Sequence, residues 1–486
     1  MHKAKMNRSG LFFFIVLAVF LAGCHSLKAP SRPDEMWMPP KWERSLKRTD
    51  NVWGSIRKRE EKTELSDKLT LIELINIALK NNPSTSKAWH NAKAEEAVRA
   101  QARSAWYPLV TFAGDLTKDR KVADQKSDEF NTRSYGGALS ASILAFDFGG
   151  RAASLTEAHH SVLAANFEFN QSMQDLILNV ETSYYALYSA KSSLDAAVAN
   201  TEDAKASYDA AKQRFDVGVG TRLDMLQSKA SYDESLFELE EAKANLAGAK
   251  ADLAEVLGVS ADTDFDISEP KWKIPTELTK QDVSKLIEEA ISRRPDIAAS
   301  RATLLAKQDA VKGAFSDLLP SLSVGSTAAK RWTEYFGDSK AYKNYYEYTG
   351  FLKVSWDVFD GFKNYAELKE AQSTAKAERE QLIQNELAAS GDVWTKYYAF
   401  KTSVSKFDFS KAFFRSSEES YNLALEGYKS GVKNILDVLQ AQSDLADARS
   451  KLVQSKKDLL VALSGIAHAT GSLGIQGSGE YLKEKE

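Results

Sequence analysis

The longest pattern of polar and apolar positions in the chain is helical. Residues 150–216 contain no proline, and their only glycine is Gly150 at the first position. At about 1.5 Å of rise per residue, this segment predicts a helix roughly 100 Å long. Residues 361–429 predict a second helix of similar length. Because no compact globular core needs helices this long, the pattern indicates an elongated helical architecture.

Two returning helices are predicted at 222–257 and 435–470. In the second, large apolar residues recur every seven positions, and small residues follow each of them by three places. The large residues are Val438, Leu445, Leu452 and Leu459, and the small ones are Ala441, Ala448, Ser455 and Ala462. Such a heptad seam indicates close helix packing. An ordinary two-helix hairpin and the wall of a tunnel would both use this seam.

Four segments are predicted to be β-strands: 108–118, 133–148, 320–331 and 345–359. In the last, Leu352, Val354, Trp356 and Val358 alternate with Phe351, Lys353, Ser355 and Asp357. The lengths suit tilted membrane strands of about 9–11 residues. Aromatic residues gather near the strand ends: Trp106, Tyr107, Phe146, Phe148, Trp332, Tyr345, Tyr346, Tyr348, Trp356 and Phe359. Such girdles are typical of an outer-membrane barrel, although a soluble sheet with aromatic pairs would show the same alternation.

The chain is a tandem duplication. Five landmarks recur at a spacing of 212 or 213 residues: Pro83 and Pro295, Pro108 and Pro320, Gly218 and Gly431, Asp224 and Asp437, and Gly258 and Gly471. A constant spacing over such a distance is the signature of an internal repeat. We therefore predict a first repeat at 69–258, a linker at 259–280, a second repeat at 281–471 and a C-terminal tail at 472–486.

Each repeat is predicted to begin with a short helix, at 69–81 or 281–293. A proline then opens a second helix, at 83–106 or 295–318. Proline is tolerated in a first helical turn and breaks a helix interior, so it marks a joint between two helices.

The N-terminus has the organisation of a secretory signal peptide, predicted at 1–23. A basic start is followed by an apolar run at 11–22, which is too short to span a bilayer. Leu21-Ala22-Gly23-Cys24 resembles a bacterial lipobox, whose cysteine becomes the lipidated first residue of the mature chain. Cys24 is the only cysteine, and 24–68 is the predicted lipidated lead. His25 permits export to the outer membrane. An ordinary signal peptide or an uncleaved anchor is the alternative.

Composition argues against catalysis and against nucleic-acid binding. The net charge of the 486 residues is −3, which gives no basic footprint for nucleic acid. The sequence contains no phosphate-binding glycine loop and no Cys or His spacing for a metal. His159 and His160 are adjacent on a predicted helix, point about 100° apart and are poor co-ligands. We predict no catalytic residue, no metal, no cofactor and no enzymatic activity.

The order of these motifs resembles the TolC-like outer-membrane factor family, in its lipoprotein branch. The motifs that carry the resemblance are Asn81-Asn82-Pro83, Phe146-Asp147-Phe148-Gly149-Gly150, Phe359-Asp360-Gly361 and Gly427-Tyr428-Lys429-Ser430-Gly431. The resemblance implies a mixed α and β fold: a homotrimer whose 12-stranded outer-membrane β-barrel, with four strands per chain, is continued by a long periplasmic α-helical barrel. Four strands per chain cannot close a barrel alone, and open edges are not tolerated in lipid.

The same resemblance implies an exit duct in the outer membrane for small molecules or proteins, anchored by lipid. Its implied partners are a periplasmic adaptor (membrane fusion protein), an inner-membrane pump and outer-membrane lipid. A periplasmic adaptor or a structural coiled-coil lipoprotein is the alternative. An adaptor would have one hairpin between soluble β-domains, and a structural lipoprotein would lack the aromatic strands.

Finally, the resemblance places a periplasmic gate at the two helix turns. Gly218, Gly220 and Gly431 permit the sharp reversals. The gate residues implied are Asp224, Tyr428, Lys433 and Asp437. An Asp–Tyr hydrogen bond and an Asp–Lys ion pair could latch two helices, and three copies of Asp437 could form an anionic ring. Some members carry a second Asp where this chain has Gln440. The alternative is that both aspartates only stabilise helix N-termini.

Overall fold

The computed structural model describes residues 68–121, 130–270, 278–336 and 341–473. The predicted signal peptide, the lipobox Cys24, almost all of the lead and residues 474–486 of the tail lie outside the described residues. The elements are α1 (Leu71–Asn81), α2 (Pro83–Ser104), β1 (Leu109–Lys121), β2 (Phe130–Phe146), α3 (Gly150–Asp216), α4 (Arg222–Leu257), α5 (Val283–Arg293), α6 (Pro295–Ser316), β3 (Ser321–Phe336), β4 (Ala341–Ser355), α7 (Lys363–Lys429) and α8 (Ile435–Ala469). The predicted order of helices and strands is confirmed in both halves.

Local sequence explains where the short helices begin and end. Thr70 caps α1 through a reciprocal capping box with Glu73, and Asp282 caps α5. Both helices end two residues before a proline, at Asn81 and Arg293. Asn82 and Arg294, the residues just before the prolines, have extended backbones, because a following proline disfavours the helical conformation.

The two long helices are equal in length, 67 residues each. α3 begins where predicted, and α7 begins two residues later than predicted. At its start Gly361 (φ 73°) and Phe362 (φ 69°) are left-handed, so the chain enters the helix only at Lys363. Asp360 then accepts the Lys363 and Asn364 amides, at 3.0 and 2.8 Å. No helix in the described part of the chain combines the length and low charge needed to cross a membrane.

The strands form one antiparallel sheet in the order β1-β2-β3-β4. Directly paired residues share a face. One face is mainly apolar and carries Phe112, Leu116, Tyr135, Leu139, Trp332, Tyr346, Tyr348, Leu352 and Val354. The other is mainly polar and carries Thr111, Asp115, Ser134, Ser140, Thr327, Arg331, Thr333, Thr349 and Lys353. Within the described residues, β1 and β4 each pair with a single strand, so both edges of the sheet are open.

The described chain divides into two compact units. Residues 91–165 and 301–381 form the unit that contains the sheet, and the remaining described residues form a helical unit. The helical unit has a core of buried apolar residues, which includes Leu74, Phe169, Met173, Ile177, Leu253 and Leu257. A second cluster lies at the helix turns, where the predicted seam residues Val438 and Leu445 are almost fully buried. Leu452 and Ala462, also predicted for the seam, are only half-buried.

Candidate functional site

The chain reverses direction at two helix turns, 217–221 and 430–434. The two turns have the same backbone conformation. Gly218 and Gly431 adopt positive φ angles of 80° and 84°, which glycine reaches without steric cost. The hydrogen bonds also correspond. Val219 N donates to Arg214 O at 2.9 Å, and Val432 N donates to Gly427 O at 2.8 Å. The predicted role of these two glycines in the reversal therefore has a structural basis.

In each turn, two positions come so close together that one of them is a glycine. A Cβ on Gly220 would lie 3.0 Å from the Cβ of Arg214. In the second turn the equivalent of Gly220 is Lys433, and the equivalent of Arg214 is Gly427. A Cβ on Gly427 would lie 3.3 Å from the Cβ of Lys433. Each turn thus has room for one side chain at this contact. The first repeat has it at the helix end, as Arg214, and the second repeat has it in the turn, as Lys433.

The two aspartates lie in the first turns of α4 and α8. Thr221 accepts a hydrogen bond from the Asp224 amide at 3.1 Å. Asn434 accepts one from the Asp437 amide at 2.9 Å, and the Asp437 carboxylate accepts the Asn434 amide at 3.4 Å. Both carboxylates therefore lie at the positive end of a helix dipole, which favours a negative charge there. Helix stabilisation and a gating role are compatible at these positions.

Lys433 and Asp437 form an exposed ion pair, with 3.9 Å between Nζ and Oδ2. Lys433 lies in the second turn and Asp437 in the first turn of α8, so this contact does not join two helices. Exposed pairs of this kind are worth about 0–1 kcal/mol. In this structure the pair leaves the Lys433 ammonium accessible to other anionic groups.

Tyr428 is the one predicted gate residue that is buried, with 2% of its surface exposed. It packs with Ala210 and Ala211 of α3. Its hydroxyl has no hydrogen-bond partner among the described residues. Burial raises the pKa of this hydroxyl, the nearby charge of Asp224 raises the pKa further, and Arg214 opposes the rise. Asp224 therefore lies close enough to act electrostatically on Tyr428, but no hydrogen bond joins the two side chains within this chain.

Arg214 makes the contact between α3 and the end of α7 that the sequence analysis missed. Its Nη1 donates to the backbone oxygen of Tyr428 at 2.9 Å, and its guanidinium lies 4.9 Å from the centre of the Tyr428 ring. A cation over an aromatic face is attracted by the ring quadrupole. The only sequence signal for this role was the position of Arg214 four residues before Gly218.

Further contacts join the helix pair α3 and α4 to the helix pair α7 and α8. They lie about two to four helical turns away from the chain reversals. The Tyr421 hydroxyl donates to Asp203 O at 2.8 Å, and burial raises the pKa of Tyr421 to about 12. Arg449 Nη1 lies 2.6 Å from Asp203 Oδ2. Gln442 donates to the Ser231 hydroxyl at 3.0 Å. α3 and α4 are therefore joined to α7 and α8 by polar contacts.

These contacts are individually modest. A typical hydrogen bond adds about 0.5–1.5 kcal/mol to stability, and one to a charged group about 1.5–3 kcal/mol. A set of a few such contacts can hold the hairpins together and can also be released by a binding partner. Among the described residues, no group of three or more His, Cys, Asp or Glu side chains could hold a metal ion.

Comparison with known proteins agrees with this architecture. The family model for outer membrane efflux proteins matches residues 74–259 and 286–472. The chain is 26% identical to the protein CyaE of Bordetella pertussis over 412 residues, covering 84% of this chain and 85% of CyaE. It is 25% identical to the outer membrane protein TolC of Escherichia coli over 423 residues, covering 85% of this chain and 84% of TolC.

Among solved structures, the outer-membrane channel OprN has a similar fold. Its TM-score is 0.73 at 22% identity, and the match covers 84% of this chain and 90% of OprN. The family match extends over both halves of the chain and takes in both helix turns. On this match, the chain belongs to the outer membrane efflux protein family.

Proposed function

We propose that this chain is an outer-membrane exit duct, in which three copies close one twelve-stranded barrel. The observation that carries the proposal is the sheet, with one apolar face, one polar face and two open edges. Open edges are not tolerated in lipid, so further strands must pair with β1 and β4. Three copies would place the apolar face toward lipid and the polar face around a channel. Family membership supports an outer-membrane location.

The long helices of the three copies would continue the channel into the periplasm. An inner-membrane pump would deliver cargo through a periplasmic adaptor to the helix turns. We further propose that Cys24 carries a lipid that anchors the mature N-terminus. This architecture suits passive conduction, since the energy for export would come from the pump.

The helix turns are the proposed periplasmic gate. Tyr428, Asp224 and the additional residue Arg214 would hold the end of α7 against α3, and movement of α7 would break the 2.9 Å contact of Arg214. Asp437 would contribute one carboxylate per copy to an anionic entrance. Lys433 would pair either with Asp437, as in this chain alone, or with a neighbouring copy.

Single-channel recording in planar bilayers tests the proposal. The informative variant is Asp437→Asn, since asparagine removes the charge and keeps a side chain that can reach the Asn434 amide. We expect small, cation-selective currents from the wild type and a clear loss of cation selectivity in the variant. Asp233→Asn is the matched control, because Asp233 is an exposed carboxylate on α4, paired with Lys229.

The outcomes separate the duct from its gate. Well-folded oligomers that conduct no current would contradict the exit duct. Channels whose selectivity is the same in Asp437→Asn and in wild type would leave the duct in place and contradict the anionic entrance. An equal shift in Asp233→Asn would mean that overall charge, rather than the entrance, controls selectivity.

A further inference from the structure

Lys330 is a cation on the apolar face of the sheet. It pairs with Gly137 of β2 and Tyr346 of β4. Its ammonium lies 4.7 Å from the centre of the Trp332 ring and 4.8 Å from that of Tyr346. Aromatic rings stabilise a cation, but they do not neutralise its charge. The rings therefore do not replace a counter-ion for this ammonium, which lies on a surface made mainly of hydrocarbon.

Further cations lie on the same face, toward the hairpin ends of the strands, among them Lys118 and Arg133. Lys118 pairs with Arg133, and Arg133 pairs with Glu334. None of Lys118, Arg133 and Lys330 forms an ion pair within the described parts of the sheet. Even with Glu334 counted against them, these three cations leave a net positive charge on this edge of the apolar face.

Two other cations of this unit have carboxylate partners. Arg331, the neighbour of Lys330, lies on the polar face, and its Nη2 is 3.6 Å from Asp115 Oδ1. At the opposite end of the strands, Arg151 lies over the Trp106 ring and has Asp147 Oδ2 3.4 Å from its Nε. Lys330 differs from these two arginines because it lies between two aromatic rings and has no carboxylate within ion-pair distance among the described residues.

The cations lie at one end of the apolar stretch of the sheet. On β3, ten residues separate Leu322, which pairs with Val354, from Trp332, which pairs with Tyr135. At about 3.3 Å per residue and a tilt of about 40°, this apolar stretch has a height of roughly 25 Å. That is the height of the apolar band of an outer-membrane barrel. Lys330 lies just inside the Trp332 level, and Lys118 and Arg133 lie just beyond it.

A groove on the same face adjoins Lys330. Its volume is about 770 Å³, and its lining includes Phe112, Leu116, Tyr135, Lys330, Trp332 and Tyr348. Gly114 and Gly137, which pair with each other, also line it and present no side chain to it. Phe112, Leu116 and Tyr348 are 76%, 75% and 78% exposed. The groove is apolar and wide enough for a hydrocarbon chain, and it has a cation at its rim.

We propose that this groove binds a phosphorylated lipid of the leaflet at the hairpin end. Its phosphate would lie against Lys330, with Lys118 and Arg133 adding to the attraction, and one acyl chain would occupy the groove over Gly114. The chemistry of the site favours an anionic headgroup with attached hydrocarbon over a free anion, because cation and groove are adjacent. This inference rests on the proposed function, which turns the apolar face toward lipid.

Native mass spectrometry of the full-length oligomer in detergent tests the site. The probes are bis-phosphorylated lipid A and the same lipid A after dephosphorylation. A cation near an anionic lipid surface is worth about fivefold in binding. Lys330→Ala should therefore retain the phosphorylated lipid about fivefold less, and Lys118→Ala/Lys330→Ala about twenty-five-fold less. Gly114→Leu, which fills the groove and keeps every cation, should also lower retention.

Lys343→Ala is the matched control. Lys343 lies near the same end of the sheet, but it pairs with Thr333 on the polar face, so its loss should leave retention unchanged. Equal retention of dephosphorylated lipid A, or an equal loss in Lys343→Ala, would overturn the site. Complete displacement of the lipid by inorganic phosphate would show a site for free anions and would also overturn it.

Channel recordings on the same samples separate this inference from the proposed function. Conducting oligomers that retain no phosphorylated lipid through Lys330 would contradict the lipid site alone. Oligomers that retain the lipid as expected but conduct no current would contradict the exit duct alone.

Discussion

α3 and α7 are the equivalent long helices of the two repeats, but they bury different parts of their lengths. Both have 67 residues, and their ends lie 213 positions apart. α3 buries residues along its first half, among them Ala153, Phe169 and Ile177. α7 buries none before Ala389. The duplicated pattern thus sets the length and ends of a helix, while its surface has diverged to suit a different environment.

Equivalent positions show the divergence most clearly. Glu181 of α3 is 4% exposed, and its counterpart Trp394 of α7 is 50% exposed. Burying a carboxylate costs free energy and exposing a tryptophan leaves apolar surface in water. Ile383 and Leu387 are exposed on α7 as well. In the proposed trimer, this uncovered part of α7 would be available to neighbouring copies.

Phe400→Ala should have the largest effect. Phe400 is fully buried in a cluster with Phe407, Leu459 and Leu278, and removal of a buried phenyl ring costs about 3–5 kcal/mol. Hydrogen exchange measured by mass spectrometry should show faster exchange along α7 and α8. Phe409→Ala is the control on the same helix, because Phe409 is 76% exposed. Equal local destabilisation by both variants would contradict the assignment of buried and exposed parts of α7.

Glu181→Gln should have the next largest effect, and this effect should depend on pH. Burial raises the pKa of Glu181 to about 7, against a small opposing effect of a hydrogen bond with Ser464. Between the ordinary pKa of a glutamate, about 4.3, and this raised value, the native state binds more protons than the unfolded state. The stability of the wild type therefore falls as the pH rises through this window.

Above about pH 7 the ionised Glu181 should cost roughly 3–4 kcal/mol relative to its protonated form. Glu181→Gln should be more stable than wild type by up to this amount at pH 8 and similar to it at pH 4. Urea denaturation across this range measures the difference. Glu168→Gln, an exposed change on the same helix, should keep the wild-type profile. If Glu181→Gln kept that profile too, Glu181 would not be the group that titrates.

The sequence predicted the elements well because their ends depend on local chemistry. Proline stops α1 and α5, and left-handed glycines end α3 and α7. The contacts between hairpins were not predicted. Arg214 meets a carbonyl 214 residues away, and the choice of that partner depends on how two helices are aligned. Lys433 and Asp437 were expected to latch two helices, and in this chain they form a contact between the second turn and the start of α8.

The need for Gly220 and Gly427 could not be predicted from sequence either, because each glycine is explained only by the atoms that pack against it. Gly220 and Gly431 were both assigned to the reversal itself. In the structure Gly431 has a positive φ, and Gly220 is needed because Arg214 lies so close. The two glycines therefore serve different purposes that look alike in the sequence.

Exchanging which of positions 427 and 433 carries a side chain should have the smallest effect on stability. In Gly427→Ala the new methyl group would meet Lys433 Cγ at 2.7 Å, so the turn should lose about 1–2 kcal/mol. Lys433→Gly in the same chain removes that neighbour and should restore most of the loss. The Val432 amide, which donates to Gly427 O at 2.8 Å, reports the change through its hydrogen-exchange rate.

Gly248→Ala on α4 is the control for this swap. A Cβ there meets no atom within 4 Å, so alanine should stabilise that helix by about 1 kcal/mol. A glycine required by a close contact and a glycine in open space should therefore respond to alanine with opposite signs. If Lys433→Gly failed to rescue Gly427→Ala, the contact between these two positions would not be what requires glycine. The two turns would then differ at this position for a reason other than the placement of one side chain.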